Sequence, residues 1–222
     1  MSEWPIKSGH PYIRHLSNKG LLWPDMKTLI VHPEDKTTEF LSAIYASLKD
    51  KTVIKGGVSK SEVRELIESH ERIIMLGHGS PYGLLNPGQF PDAGLYIIDD
   101  STALSLKRKS NSIYIWCFAS KFVHQHKLSG LCTGMFISEV REANSYCFDY
   151  IDENLIDQSN QRFSWIFSKY LSQPIDILYQ KLLYEYDLLA STNPIASFNL
   201  ERLYLTSAGT NKNPIKVVAI EK

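Results

Sequence analysis

Four short apolar blocks dominate the first half of the chain: Thr28 to Val31 (TLIV), Thr52 to Ile54 (TVI), Ile73 to Leu76 (IIML) and Ile113 to Trp116 (IYIW). Each is too short for a core helix and rich in branched or aromatic residues, so each reads as a buried strand. The segments between the first three blocks carry helical spacing instead. Thr38 to Leu48 puts Phe40, Leu41, Ile44, Tyr45 and Leu48 on one stripe, with Thr37 or Thr38 in the capping position. Ser59 to Glu62 has capping-box spacing and is followed by Val63, Leu66, Ile67 and His70 on one face. Strands alternating with single helices need right-handed crossovers and a parallel sheet, which gathers functional groups on the loops beyond the carboxyl ends of the strands.

Further along, Leu95 to Ile98 (LYII) follows a turn-rich segment and reads as a small hairpin or extra strand. Thr133 to Ser138 (TGMFIS) reads as another core strand, Arg162 to Leu171 and Ile175 to Leu189 as helices, and Ile215 to Ile220 (IKVVAI) as the last strand. The expected fold class is therefore α/β, with a six-stranded, mostly parallel sheet flanked by helices. A chain of 222 residues, 43% hydrophobic and 22% charged, has material for one sizeable core. We expect a single domain over residues 1–222, in which Pro5, Pro11 and Pro24 mark residues 1–25 as an irregular N-terminal arm.

The 24 basic and 24 acidic residues cancel, so no net field recruits nucleic acid or an anionic membrane. The N-terminus lacks a signal-peptide pattern, and no apolar run approaches the ~20 residues of a membrane span. A soluble, cytoplasmic protein is expected. Cys117, Cys132 and Cys147 form no C-x-x-C pair, and their odd number suits free thiols in a reducing compartment. His124 and His126 are two residues apart in a helix-like segment that would point them in different directions, and no further zinc ligands accompany them. GGVSKS lacks phosphate-loop spacing, the glycines at 77, 79 and 83 miss the dinucleotide fingerprint, and no G-x-S-x-G elbow occurs. No metal or organic cofactor is implied.

Two strand ends carry the chemistry. IIMLGHG delivers His78 and, 117 − 78 = 39 positions later, IYIWC delivers Cys117. On neighbouring parallel strands these ends share one edge, which brings imidazole and thiol close. A thiolate attacks a carbonyl, a histidine protonates the departing amine and then activates water, and backbone N–H groups hold the oxyanion. Cys117 is the candidate nucleophile and His78 the general acid/base. The backbone amides of Gly79 and Cys117 are the candidate oxyanion hole. Taken singly, a buried cysteine or a strand-end histidine is more often a packing or loop-binding residue.

Apolar block, His-Gly, spacer, apolar block, Cys is also the pattern of the caspase, gingipain, clostripain and separase group of cysteine peptidases, which this sequence resembles in IIMLGHG and IYIWC. The resemblance implies a three-layer caspase-like sandwich in which Thr133 to Ser138 is the fifth strand and Ile215 to Ile220 the sixth. Two departures stand out: WCFAS replaces the caspase-specific string around the cysteine, and Trp116 occupies a position where many members carry alanine. In these peptidases the loop after the fifth strand shapes the substrate pocket, which here implicates Ser138, Glu139 and Glu142 of SEVREA. The first strand ends in HPED, so Glu34 and Asp35 add negative potential near the same edge and favour a basic residue in a peptide or protein substrate. Solvated surface charge is the simpler explanation of these acids. The alternative to a peptidase is a catalytically inactive module of the same fold that binds a peptide or partner protein in the same cleft.

Overall fold

The computed structural model describes residues 26–207 and 210–212. In chain order the elements begin with β1 (Thr28–Val31), a 3-10 turn (Lys36–Leu41) running into α1 (Ser42–Tyr45), β2 (Lys51–Ile54), α2 (Lys60–Ser69) and β3 (Arg72–Leu76). Next come β4 (Gly79–Ser80), β5 (Gly83–Leu85), β6 (Tyr96–Ile98), α3 (Asp100–Leu106), β7 (Ser112–Ile115), α4 (Ala119–Gln125) and β8 (Gly130–Thr133). The last are α5 (Val140–Ser145), α6 (Glu153–Tyr170), α7 (Ile175–Ala190), α8 (Pro194–Leu200), β9 (Leu203–Ser207) and β10 (Thr210–Lys212).

The four apolar blocks are contiguous in the main sheet, whose six strands run β2-β1-β3-β7-β8-β9 with β10 appended beside β9; three of them are interior, and TVI forms the edge strand β2. All neighbours from β2 to β8 pair in parallel, and β9 is antiparallel to β8. The period-2 alternation of these strands builds two cores. Leu29, Ile73, Met75, Tyr114 and Trp116 face α2, α3 and α4 through Val63, Ile67, Leu106 and Phe122. Ile30, Ile74, Leu76, Ile113 and Ile115 face the other way, onto α1, α6, α7 and α8. Helices on both faces make the molecule a three-layer α/β sandwich. Each fully buried Ile or Leu on these strands contributes roughly 1.5–3 kcal/mol, and β1, β3 and β7 are buried from end to end. Among the described residues no helix is long and apolar enough to cross a membrane.

Several local expectations meet the structure directly. The Ser59–Glu62 capping box is present: the Ser59 hydroxyl accepts from the Glu62 backbone N–H and Glu62 accepts from the Ser59 N–H. The first helix differs from its sequence reading. Half of it is 3-10, and its cap is Asp35, which accepts from the Thr37 N–H, rather than Thr37 or Thr38. Tyr96–Ile98 is an extra strand, on the outside of a small three-stranded sheet with β5 and β4.

The fifth strand is displaced. It covers Gly130–Thr133, and only Thr133 of TGMFIS belongs to it. Phe136 and Ile137 are nonetheless fully covered, because Phe136 stacks on Phe163 of α6 at 4.6 Å and Ile137 packs with Ala143, Ile156 and Ile195. A buried loop has the same apolar look as a strand. The next strand in the sheet is the antiparallel β9, Leu203–Ser207; Ile215 to Ile220 lies outside the described residues.

Candidate functional site

The register of β3 on β7 sets the geometry. Ile74 pairs with Ile113, Met75 with Tyr114 and Leu76 with Ile115, a constant offset of 115 − 76 = 39. The ladder continues one step further, where the Gly77 N–H donates to the Ile115 carbonyl at 3.0 Å. His78 and Cys117 have the same offset, 117 − 78, and each is the second residue past the last paired residue of adjacent parallel strands. Gly77, at φ +142°, takes a conformation that side chains disfavour and lets the chain leave the strand there.

Trp116 turns out to belong to the core. Its ring is 1% exposed, packs against Tyr114 and Phe122, and donates its indole N–H to the Ser80 carbonyl at 3.1 Å. It thereby staples β4 down beside the strand ends. The same ring explains Gly79, since a Cβ there would lie 2.0 Å from Trp116 Cδ1. The Thr133 hydroxyl brackets Trp116 from the other side, accepting from its N–H at 3.2 Å and donating to its carbonyl at 2.8 Å. Directly after Cys117, Phe118 adopts φ 67°, left-handed backbone that costs a bulky L residue about 1–2 kcal/mol, and its N–H donates to Gly134.

His78 is held by a relay absent from the sequence reading. The Thr37 hydroxyl donates to Asp35 Oδ1 at 2.5 Å, and its own oxygen, Thr37 Oγ1, lies 2.6 Å from His78 Nε2. With its only hydrogen committed to the carboxylate, Thr37 must accept, so Nε2 carries a proton, and in the neutral ring Nδ1 is the acceptor. Glu139 Oε1 at 3.4 Å and Asp35 Oδ1 at 4.0 Å from Nε2 reinforce that choice. Hydrogen bonds from the Thr37 hydroxyl, the largest cause, and from its backbone N–H hold the Asp35 carboxyl below its ordinary range.

Cys117 is partly buried and its thiol is protonated. Sγ lies 3.4 Å from both the Phe136 carbonyl and Glu142 Oε1, and its single hydrogen can be donated to one of them at a time. Burial, and then the charge of Glu142, pushes the thiol up to about 12. No hydrogen bond joins His78 to Cys117. Their link is indirect, through two acids one helical turn apart: Glu139 beside the imidazole and Glu142 beside the thiol.

These acids share an open cavity of about 460 Å³ whose lining includes Asp35, Thr37, His78, Glu139, Arg141 and Glu142. Asp35, Glu139 and Glu142 therefore meet at the sheet edge as the sequence expectation had it. Glu34 does not join them: its side chain is exposed and only its backbone is engaged, with Lys55 and Gln89. Ser138 faces an adjoining cavity and donates both its N–H and its hydroxyl to Glu142 Oε2, at 2.7 and 3.0 Å. A more voluminous cavity, about 620 Å³, opens around Arg162 and Trp165 on α6 and Leu188 on α7, and its lining includes no cysteine, histidine or carboxylate.

The loop that presents Ser138, Glu139 and Glu142 is fixed by two buried asparagines. Asn199 of α8 accepts from the Ile137 N–H at 2.8 Å and donates to the Ile137 carbonyl at 2.9 Å. Asn160 of α6 donates to the Ser138 carbonyl at 2.9 Å. Buried asparagines at helical positions are the available sequence signal for such a clamp, but it emerges only once α6, α8 and the loop are in place. Among the described residues no group of three or more His, Cys, Asp or Glu is arranged to hold a metal ion. Comparison with family models, with curated proteins and with solved structures finds no match to this chain.

Proposed function

We propose that the chain is a cysteine endopeptidase that uses Cys117 and His78 and favours substrates with a lysine or arginine at the acidic cavity. The reading rests on one observation: the two side chains best suited to acyl transfer follow the ends of adjacent parallel strands, where His78 lines a cavity with three carboxylates and Cys117 contacts one of them, Glu142. The resemblance of IIMLGHG and IYIWC to the caspase-like peptidases points the same way.

The chemistry follows from the hydrogen bonds. Thr37 keeps the His78 proton on Nε2, so Nδ1 is the site that accepts the thiol proton. The Cys117 thiolate adds to the substrate carbonyl carbon, and the backbone amides of Gly79 and Cys117 are the proposed donors to the resulting oxyanion. Collapse breaks the C–N bond, the amine leaves with the proton from His78, and a thioester remains on Cys117. Water, deprotonated by His78, then cleaves the thioester and regenerates the thiol. A basic substrate residue in the cavity also acts on the nucleophile, because it offsets the Glu142 and Glu139 charges that hold the thiol up.

A second reading has its own observation. The thiol is protonated, partly covered and occupied by Glu142 and the Phe136 carbonyl, as in a module that binds peptide without cleaving it. The experiment that decides is labelling with a peptidyl acyloxymethylketone bearing arginine, read by mass spectrometry. The peptidase reading predicts modification at Cys117 that disappears in Cys117→Ala and is strongly slowed in His78→Ala. Equal modification at the exposed Cys147, or none at Cys117, removes it.

A further inference from the structure

Cys117 joins two peptide planes, and the end of β8 holds both. The β7–β8 ladder closes at the pair Tyr114 and Cys132. Beyond it the fully buried Thr133 side chain takes over: its hydroxyl accepts from the Trp116 N–H at 3.2 Å and donates to the Trp116 carbonyl at 2.8 Å, with the Tyr114 carbonyl more distant at 3.5 Å. The Ala119 N–H, at 3.1 Å, is a second donor to the Trp116 carbonyl. That carbonyl belongs to the same planar unit as the Cys117 N–H. Because the unit is trans, an oxygen turned to Thr133 sends the N–H the opposite way. The next plane is held by its own N–H: Phe118 donates to the Gly134 carbonyl at 2.9 Å, and Gly134 is anchored in turn by its N–H on the Arg202 carbonyl at 2.7 Å.

Between these anchors the Cys117 N–H has no hydrogen-bond partner among the described residues. Backbone donors in packed segments are nearly always paired, so one left open at the candidate nucleophile is available to a ligand oxygen. Resting on the peptidase reading above, we infer that Thr133 is a positioning residue, whose hydroxyl locks the Trp116–Cys117 peptide so that the Cys117 N–H stays unpaired and fixed in direction for the oxyanion. Thr133 touches no substrate; it acts through the Trp116 carbonyl. The lock matters because an oxyanion donor is effective only when it need not reorient as charge develops. The left-handed backbone at Phe118 belongs to the same device, since it turns the chain where the second plane meets Gly134.

The test compares the full chain with Thr133→Val, which keeps the side-chain shape without the hydroxyl, and Thr133→Ser, which keeps the hydroxyl, all in a Cys147→Ser background. In Thr133→Val, hydrolysis of an arginine peptide amide is expected to lose about tenfold in kcat with KM little changed, part of the about 10²–10³ that deleting an oxyanion donor costs. Thr133→Ser should recover most of it. The rate of Cys117 with a neutral aromatic disulfide, a reaction without an oxyanion, should stay within about twofold. Two readouts need no turnover. Acetyl-Ala-Ala-argininal forms an S–C bond with Cys117 while the thiol proton ends on the carbonyl oxygen, which the matching alcohol cannot do. The aldehyde should bind the unmodified chain at least ~100-fold more tightly than the alcohol, and Thr133→Val should cut that advantage about tenfold. In the unmodified chain the Cys117 amide proton should move downfield in the NMR spectrum when the aldehyde adds; an unmoved amide overturns the proposal whether or not Thr133→Val folds. An unchanged kcat or aldehyde advantage in Thr133→Val, or a disulfide rate that falls as far, also overturns it. A Thr133-dependent aldehyde advantage without hydrolysis removes the peptidase reading and leaves the positioning role, and no aldehyde advantage in the unmodified chain overturns both.

Discussion

Glu142→Gln isolates the charge that sits on the candidate nucleophile. The Cys117 thiol is raised from 9.0 to about 12, a difference of 12 − 9.0, or about three pH units, with burial the larger cause and Glu142 the next. A full charge at the 3.4 Å separation would be worth about 5 kcal/mol at an effective dielectric of ~20, from 332/(20 × 3.4). Three pH units amount to only about 4 kcal/mol in all, so the carboxylate, second to burial among the causes, is screened better than that, and the rate effect scales with each pH unit it accounts for. Glutamine loses the charge and has one acceptor oxygen where glutamate has two, so it keeps the Ser138 contacts on Oε2 or the Sγ contact on Oε1 but not both. Below its pKa the thiolate fraction rises tenfold for each unit that the pKa falls. The less basic thiolate is about threefold less nucleophilic, leaving a net gain of about threefold. The assay is the rate of reaction of Cys117 with a neutral aromatic disulfide between pH 6.5 and 8.5, in a Cys147→Ser background that silences the exposed thiol. An unchanged or slower rate in Glu142→Gln would refute the electrostatic account of this cysteine.

Three further predictions are independent of turnover. Thr37→Val removes the acceptor of the His78 Nε2 proton, so ring ¹⁵N chemical shifts of neutral His78 should move from an Nε2–H pattern towards mixed tautomers; an unchanged pattern would remove Thr37 from the relay. Gly79→Ala forces a methyl into the Trp116 ring and should lower unfolding free energy by about 1–3 kcal/mol in urea, whereas a neutral result would show that β4 shifts freely. His32 is buried against Tyr45, and burial, the largest cause, lowers it to about 4. Its folded pKa lies below its unfolded value, so its contribution is complete above pH ~6.5 and is lost as pH falls through about 4. Stability should therefore drop by up to about 3 kcal/mol over that window, and His32→Gln should flatten that part of the curve.

The parts of the fold legible in the sequence were those governed by local pattern. TLIV, IIML and IYIW each announce a strand buried on both faces, TVI announces a strand that proves to be the half-buried edge, and Ser59–Glu62 announces a helix start. The adjacency of the strands that precede His78 and Cys117 was legible too, because alternating strands and helices call for a parallel sheet. What was hidden depends on tertiary context. The helix α6 begins at Glu153, well before Arg162, because its buried face carries Ser159, Asn160 and Ser164 among the apolar residues and so breaks the hydrophobic stripe. Phe136 and Ile137 look like strand because burial, not pairing, selects apolar residues there. Thr37 and Asp35 are close in sequence to each other but 41 residues or more from His78, so their relay exists only after β1 and β3 pair. Trp116 stands where many caspase-like members carry alanine; alternation along β7 sends its ring into the core with Tyr114, where it dictates Gly79.

The central claim is that Cys117 and His78 cleave peptide bonds beside an acidic cavity. Its most direct measurement is mass spectrometry of a random peptide library incubated with the chain and, in parallel, with Cys117→Ala and His78→Ala. The account predicts new C-termini at lysine or arginine from the unmodified chain alone. Cleavage that persists in Cys117→Ala, or no cleavage by the unmodified chain, would contradict it.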